Sequence, residues 1–193
     1  MSPTLANLIT PRTSRGAAVD HTKMKLLIVD DEPLNIALLE RVLSDSGYTH
    51  VQAIQDSRLA LETIENFEPD LVLLDLMMPH VDGFALLEQL RSRGDDTFLP
   101  VIVLTADANS ETRLRALRAG ATDFLLKPFD LVEVLLRIGN LLEMRRLHVQ
   151  LEMQRAAFEE AVRDRTSELR DTQLELQRAL SHGTAAEVSD CLH

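Results

Sequence analysis

The chain has no tryptophan, and aromatic residues fill only 4% of its 193 positions. That scarcity argues against the aromatic platforms on which single-stranded nucleic acid stacks. There is one cysteine, Cys191, so no internal disulfide forms and no Cys/His cluster suggests zinc. A reducing compartment fits this usage. No apolar run approaches membrane-spanning length, and residues 1–23 lack the long apolar centre of a secretory signal. Positive charge is scarce as well: 20 Lys and Arg stand against 31 Asp and Glu, a net charge of −11. Such acidity disfavours nucleic-acid backbones and anionic membranes as partners. The expectation is a cytoplasmic protein that binds a cation.

The chain does have 45% apolar residues, enough for a proper core, and a length suited to one domain plus an appendage. "KLLIVDD" (25–31) is a short β-branched run ending in acids and reads as a buried strand. In "EPLNIALLERVLSDSGY", Pro33 suits a first helical turn. Leu34, Ala37, Leu38, Arg41 and Val42 fall on one side at helical spacing, and Gly47 suits the helix end. The unit repeats with "THVQAI" and "DSRLALETIENF", the latter a helix capped by Asp56 or Ser57. It repeats again with "DLVLLDL" and "VDGFALLEQLRSRG", then "LPVIVLTA" and "SETRLRALRAG", and finally "TDFLLKP" and "DLVEVLLRIGNLL". Continuous apolar strands alternating with helices predict an α/β fold, a doubly wound five-stranded parallel sheet covered on both faces. In such sheets ligands bind at the carboxyl ends of the strands.

Those ends carry Asp30 and Asp31, Asp75, Thr105, and Lys127 followed by Pro128. Two like charges ~4 Å apart repel by about 4 kcal/mol at an effective dielectric of 20. Lys127 can offset one acid, and a hard divalent cation would offset more; Mg²⁺ suits an oxygen-only set and zinc does not. Acids, a Lys and a Thr together suit phosphoryl transfer, with a carboxylate as nucleophile. Singly, each of these residues reads more simply as a helix cap, a turn hydroxyl or a solvated Lys; the case rests on the set.

"LLIVDDEP", "DLVLLDLMMPHVDGF", "VIVLTA" and "GATDFLLKPF" resemble the response-regulator receiver domain of two-component signalling, a flavodoxin-like fold. The resemblance spans residues 24–145 and implies that Asp75 is the phosphoacceptor, served by a histidine kinase or phosphotransfer protein. It implies that Asp31, Asp75 and the backbone carbonyl of Met77 hold Mg²⁺, with Asp30 acting mainly through metal-bound water. Lys127 and Thr105 would contact the phosphoryl group, and Phe124 occupies the aromatic switch position. Met77 and Asp107 fall where the family tunes phosphate lifetime. Met77 and Met78 also read as packing residues.

The last helix is expected to run on, because residues 129–193 contain no proline. One heptad register places Leu141, His148, Arg155, Val162, Leu169 and Leu176 at a, and Met144, Leu151, Phe158, Arg165, Thr172 and Ala179 at d. A helix of about 50 residues is ~75 Å long, too long to bury its stripe on so small a domain. The expectation is a coiled-coil helix over 146–181, a parallel homodimer through Leu141, Met144, Leu151, Phe158, Val162, Leu169 and Leu176, and a flexible tail over 182–193. The segment resembles connectors to output domains, which leaves two expectations open: a stand-alone receiver with a dimerising helix, or part of a larger regulator with an output domain. Two rivals remain. A phosphohydrolase with an Asp nucleophile wants a second acid two residues on, where Met77 stands. A degenerate receiver used only as a dimerisation scaffold has no need of the intact acid set.

Overall fold

The computed structural model describes residues 23–92 and 98–190, with side chains described as far as residue 176. The elements run β1 (Lys25–Val29), α1 (Pro33–Asp45), β2 (His50–Ile54), a 3-10 turn (Ser57–Leu59), α2 (Ala60–Phe67), β3 (Leu71–Asp75), α3 (Gly83–Ser92), β4 (Val101–Thr105), α4 (Ser110–Arg118), β5 (Asp123–Leu126) and α5 (Leu131–Asp190). The expected flexible segment at 1–23 lies outside the described residues except for Lys23, and so do residues 191–193 of the expected tail. The backbone of 182–190 continues as helix. The chain divides into two compact units after His148.

All five strands are parallel, in the order β2-β1-β3-β4-β5. The alternation of strands and helices permits this because each crossover returns the chain in the same direction. β1 and β3 are neighbours although β2 lies between them in sequence. The winding reverses at that pair, and a crevice opens at the carboxyl ends of the two strands. β1, β3 and β4 are apolar on both faces because helices cover both. On one face Leu26, Ile28, Leu73 and Leu104 pack with Leu39 of α1 and Ile138 of α5. On the other, Leu27, Val72, Leu74 and Val103 pack with Ile64 of α2, Leu87 of α3 and Ala116 of α4.

The face of α1 differs from the sequence expectation. Ile36, Leu39 and Leu43 are buried, whereas Leu34, Ala37, Leu38 and Arg41 are exposed. The helix carries two apolar stripes, and only one can face the sheet. Gly47 does end the α1 region, with a φ of +93° that an L side chain rarely adopts. Asp56 caps the 3-10 turn by accepting from the Arg58 N–H; Ser57 is not a cap and bonds elsewhere. α4 is capped by Asn109, one residue before the expected Ser110 start.

The dimer-seam expectation needs one correction. Leu141 is 7% exposed and belongs to the sheet-covering core. It is spent in the first unit and is not open to a partner helix. Met144, Leu151, Phe158, Val162, Leu169 and Leu176 are exposed. The charged seam positions find partners on their own helix: Arg155 with Glu159, and Arg165 with Glu168.

Candidate functional site

The register places the site. Val29 pairs with Leu74, so Asp30 and Asp75 lie level at the ends of adjacent strands. Asp75 in turn pairs with Leu104, one residue before Thr105. Lys127 follows directly on β5, and its N–H donates to the Thr105 carbonyl at 2.7 Å. The Lys127–Pro128 peptide bond is cis.

Lys127 reaches back across the sheet end. Its Nζ lies 2.7 Å from Asp30 Oδ2 and 3.2 Å from Asp75 Oδ1. Asp30 is 0% exposed, a position a carboxylate holds only when its oxygens are satisfied. They are: Oδ1 accepts from the Glu32 N–H at 2.9 Å, and Asn35 Nδ2 donates to both oxygens at 3.1 and 3.2 Å. Burial pushes the carboxyl of Asp75 above its ordinary range. The Lys127 ammonium opposes this shift, the Asp30 carboxylate reinforces it, and a bond from the Met77 N–H opposes it again.

Asp30, Asp31 and Asp75 each offer an oxygen, and these atoms lie within 4.8 Å of one another. The donor set is all carboxylate, with no sulfur or imidazole among them. It therefore fits a hard divalent cation such as Mg²⁺. Three acids against one Lys leave a local excess of negative charge that a cation relieves.

The other expected residues are distributed unequally. Thr105 is buried, and its hydroxyl accepts from the Asp107 N–H at 3.1 Å. Asp107 turns its carboxylate toward the start of α4, accepting from the Asn109 N–H and from Thr112 Oγ1. Phe124 is half-buried against the core, with the Arg113 guanidinium 4.6 Å from its ring centre. Met77 is not a packing residue, since its side chain is 70% exposed; Met78 does pack against the core.

Two contributors escape a reading of the sequence. Asn35 satisfies Asp30 from the first turns of α1, and only its closeness to "VDDEP" hinted at this. Buried Ser57 contacts the loop after β3, and no local pattern signals that. Gly83 closes the same loop. A Cβ there would sit 2.5 Å from the Asp75 carbonyl oxygen and 2.8 Å from Leu76 Cα, so only glycine lets α3 start this close.

Comparisons with known proteins agree with this geometry. The chain is 47% identical over 119 residues to response regulator MprA of Mycolicibacterium vanbaalenii, covering 62% of this chain and 50% of that protein. The response regulator MprA of Mycobacterium leprae is 46% identical over 119 residues. The chain thus spans about half the length of the curated relatives it matches. Among solved structures, a putative response regulator from Chloroflexus aurantiacus aligns with a TM-score of 0.59 and 34% identity, over 62% of this chain and 98% of that one. The chemotaxis protein CheY4 of Vibrio cholerae aligns at 0.57 and 29% identity, over 61% and 98%. The family profile of the response regulator receiver domain matches residues 26–139, and with the strand-end acids and Lys127 placed as above, the chain belongs to that family.

Proposed function

We propose that this chain is a phosphorylation-controlled switch: Asp75 takes a phosphoryl group from a histidine kinase or phosphotransfer protein with Mg²⁺ bound, and the signal passes to paired α5 helices. One observation carries the reading, namely the Lys127 ammonium in contact with Asp30 and Asp75 at the crevice between β1 and β3. A structural ion pair needs one acid; this arrangement keeps a second carboxylate at the crevice, with Asp31 beside it.

In the transfer, an Asp75 oxygen bonds to phosphorus while the donor's bond to phosphorus breaks and its electron pair leaves with the donor. Asp31, Asp75 and the Met77 carbonyl would hold the ion, and Asp30 would act on it through water. When bound, the ion neutralises charge developing on the phosphoryl oxygens. Lys127 shifts from the carboxylate to those oxygens. Thr105 gives up its bond to the Asp107 N–H and turns inward. Phe124 follows, held by packing because it has no hydroxyl. Exposed Met77 shields the acyl phosphate from water and so tunes its lifetime. Asp107 acts on the lifetime less directly, through the start of α4. Leu34 and Leu38, exposed on the helix that follows Asp31, offer apolar surface to a phosphodonor protein.

On this reading α5 makes a parallel homodimer through Met144, Leu151, Phe158, Val162, Leu169 and Leu176. The chain acts on no outside substrate.

Acetyl phosphate labelling tests the centre of this reading. Wild type with Mg²⁺ is expected to gain one phosphate on Asp75, read by mass spectrometry. Chelation of Mg²⁺ or Asp75→Asn is expected to abolish the gain. Labelling that persists in Asp75→Asn would sink the assignment.

A further inference from the structure

The loop from Leu76 to Asp82 leaves the phosphoacceptor and returns to it. Its neck is closed by the Gly83 N–H donating to the Leu76 carbonyl at 3.3 Å. Its tip is a tight turn in which the Val81 N–H donates to the Pro79 carbonyl at 3.0 Å. The residue between them, His80, has a φ of +76°. A three-residue turn with positive φ at a side-chain-bearing residue is rare and strained. Something must hold it.

Ser57 does. It belongs to the 3-10 turn after β2, far from the loop in sequence, and is 3% exposed. Its Oγ donates to the Pro79 carbonyl at 2.9 Å and accepts from the Val81 N–H at 3.1 Å. One hydroxyl thus grips both ends of the strained turn. Its position also explains why it does not cap the helix that follows.

Met77 lies between neck and tip. Its side chain is 70% exposed, so packing does little to anchor its backbone. Yet that backbone N–H lies close enough to the Asp75 carboxylate to favour its ionised form. The loop's placement therefore depends on its closure at Gly83, on the partial packing of Met78 and Val81, and on the Ser57 grip.

We propose that Ser57 is a positioning residue for the phosphoacceptor site, whose buried hydroxyl clamps the strained turn at His80 and so fixes the Met77 backbone against Asp75. This rests on Asp75 being the phosphoacceptor. Ser57 touches no reacting atom; it acts through the loop.

The test uses the full chain, Mg²⁺ and acetyl phosphate. Ser57→Ala removes one oxygen, adds no bulk and leaves the Val81 N–H bonded to the Pro79 carbonyl, so the variant is expected to fold. Its Asp75 labelling is expected to slow about tenfold, the factor set by one net hydrogen bond of ordinary strength. Amide exchange at Val81 is expected to speed up by a similar factor, about tenfold. Glycine adopts positive φ at no steric cost, so Ser57→Ala with His80→Gly is expected to recover most of the labelling rate. A general packing role for Ser57 would predict no such rescue. Ser57→Ala labelled as fast as wild type overturns the inference, and so does a double variant as slow as Ser57→Ala. A wild type that takes no phosphate removes the phosphoacceptor reading, and this inference with it.

Discussion

Asp75 sits where a carboxylate is costly to ionise, and its titration should show that. Burial raises its folded-state pKa, and Asp30 adds to the rise. A raised pKa means that the folded state favours the proton. The stability this contributes is full below the unfolded value of about 3.9 and is lost as pH rises through the higher folded value. In chelator, Asp75→Asn is therefore expected to melt higher than wild type at pH 7. The difference should shrink as pH falls below about 3.9, where Asp75 is protonated in the folded and the unfolded state alike. Equal melting temperatures at pH 7 would contradict the burial argument. At this scale much of the site was legible. Asp30, Asp31, Asp75, Thr105 and Lys127 are strand-end residues, and strand ends can be read from apolar runs. Asn35 and Ser57 were not legible as site residues, because their partners are chosen by chain segments meeting in space.

Among the elements, α1 shows where periodicity stops deciding. Leu34, Leu38 and Val42 make one stripe; Ile36, Leu39 and Leu43 make another. Both have helical spacing; the structure buries the second, and of the first only Val42 packs against the core. The choice follows from how the chain enters the helix after Asp31, with the Glu32 N–H and Asn35 bound to Asp30. That anchoring turns Ile36 and Leu39 toward β1. Leu39→Ala is expected to destabilise by about 2–5 kcal/mol, as large-to-small core changes do. Leu38→Ala should stay within about 0.5 kcal/mol. Urea unfolding with unchanged slope measures both; similar losses for the two would restore the sequence's choice of face.

For the whole molecule, the two units have different relations to water. The first buries its apolar residues in two layers on the sheet. In the second, the described side chains of α5 leave Leu151, Phe158, Val162, Leu169 and Leu176 exposed at heptad positions. Such a stripe calls for a partner helix. Phe158→Glu is expected to convert the proposed dimer to a monomer in sedimentation while leaving the melting of the sheet unit unchanged. Leu141→Ala should do the reverse, lowering stability without changing assembly, because Leu141 lies in the core. A wild type that sediments as a monomer would remove the dimer from the proposal.

The sequence by itself determined the alternating strands and helices, the parallel sheet, the strand-end acid set and the family. These are local patterns, or follow from the handedness of crossovers, and need no distances. Only the tertiary structure decided which stripe of α1 is buried, that Leu141 is core, that Asp107 turns to α4, and that Ser57 grips the loop after β3. Each of these depends on which of several chemically adequate neighbours the folded chain brings within reach, and a one-dimensional pattern holds no record of that.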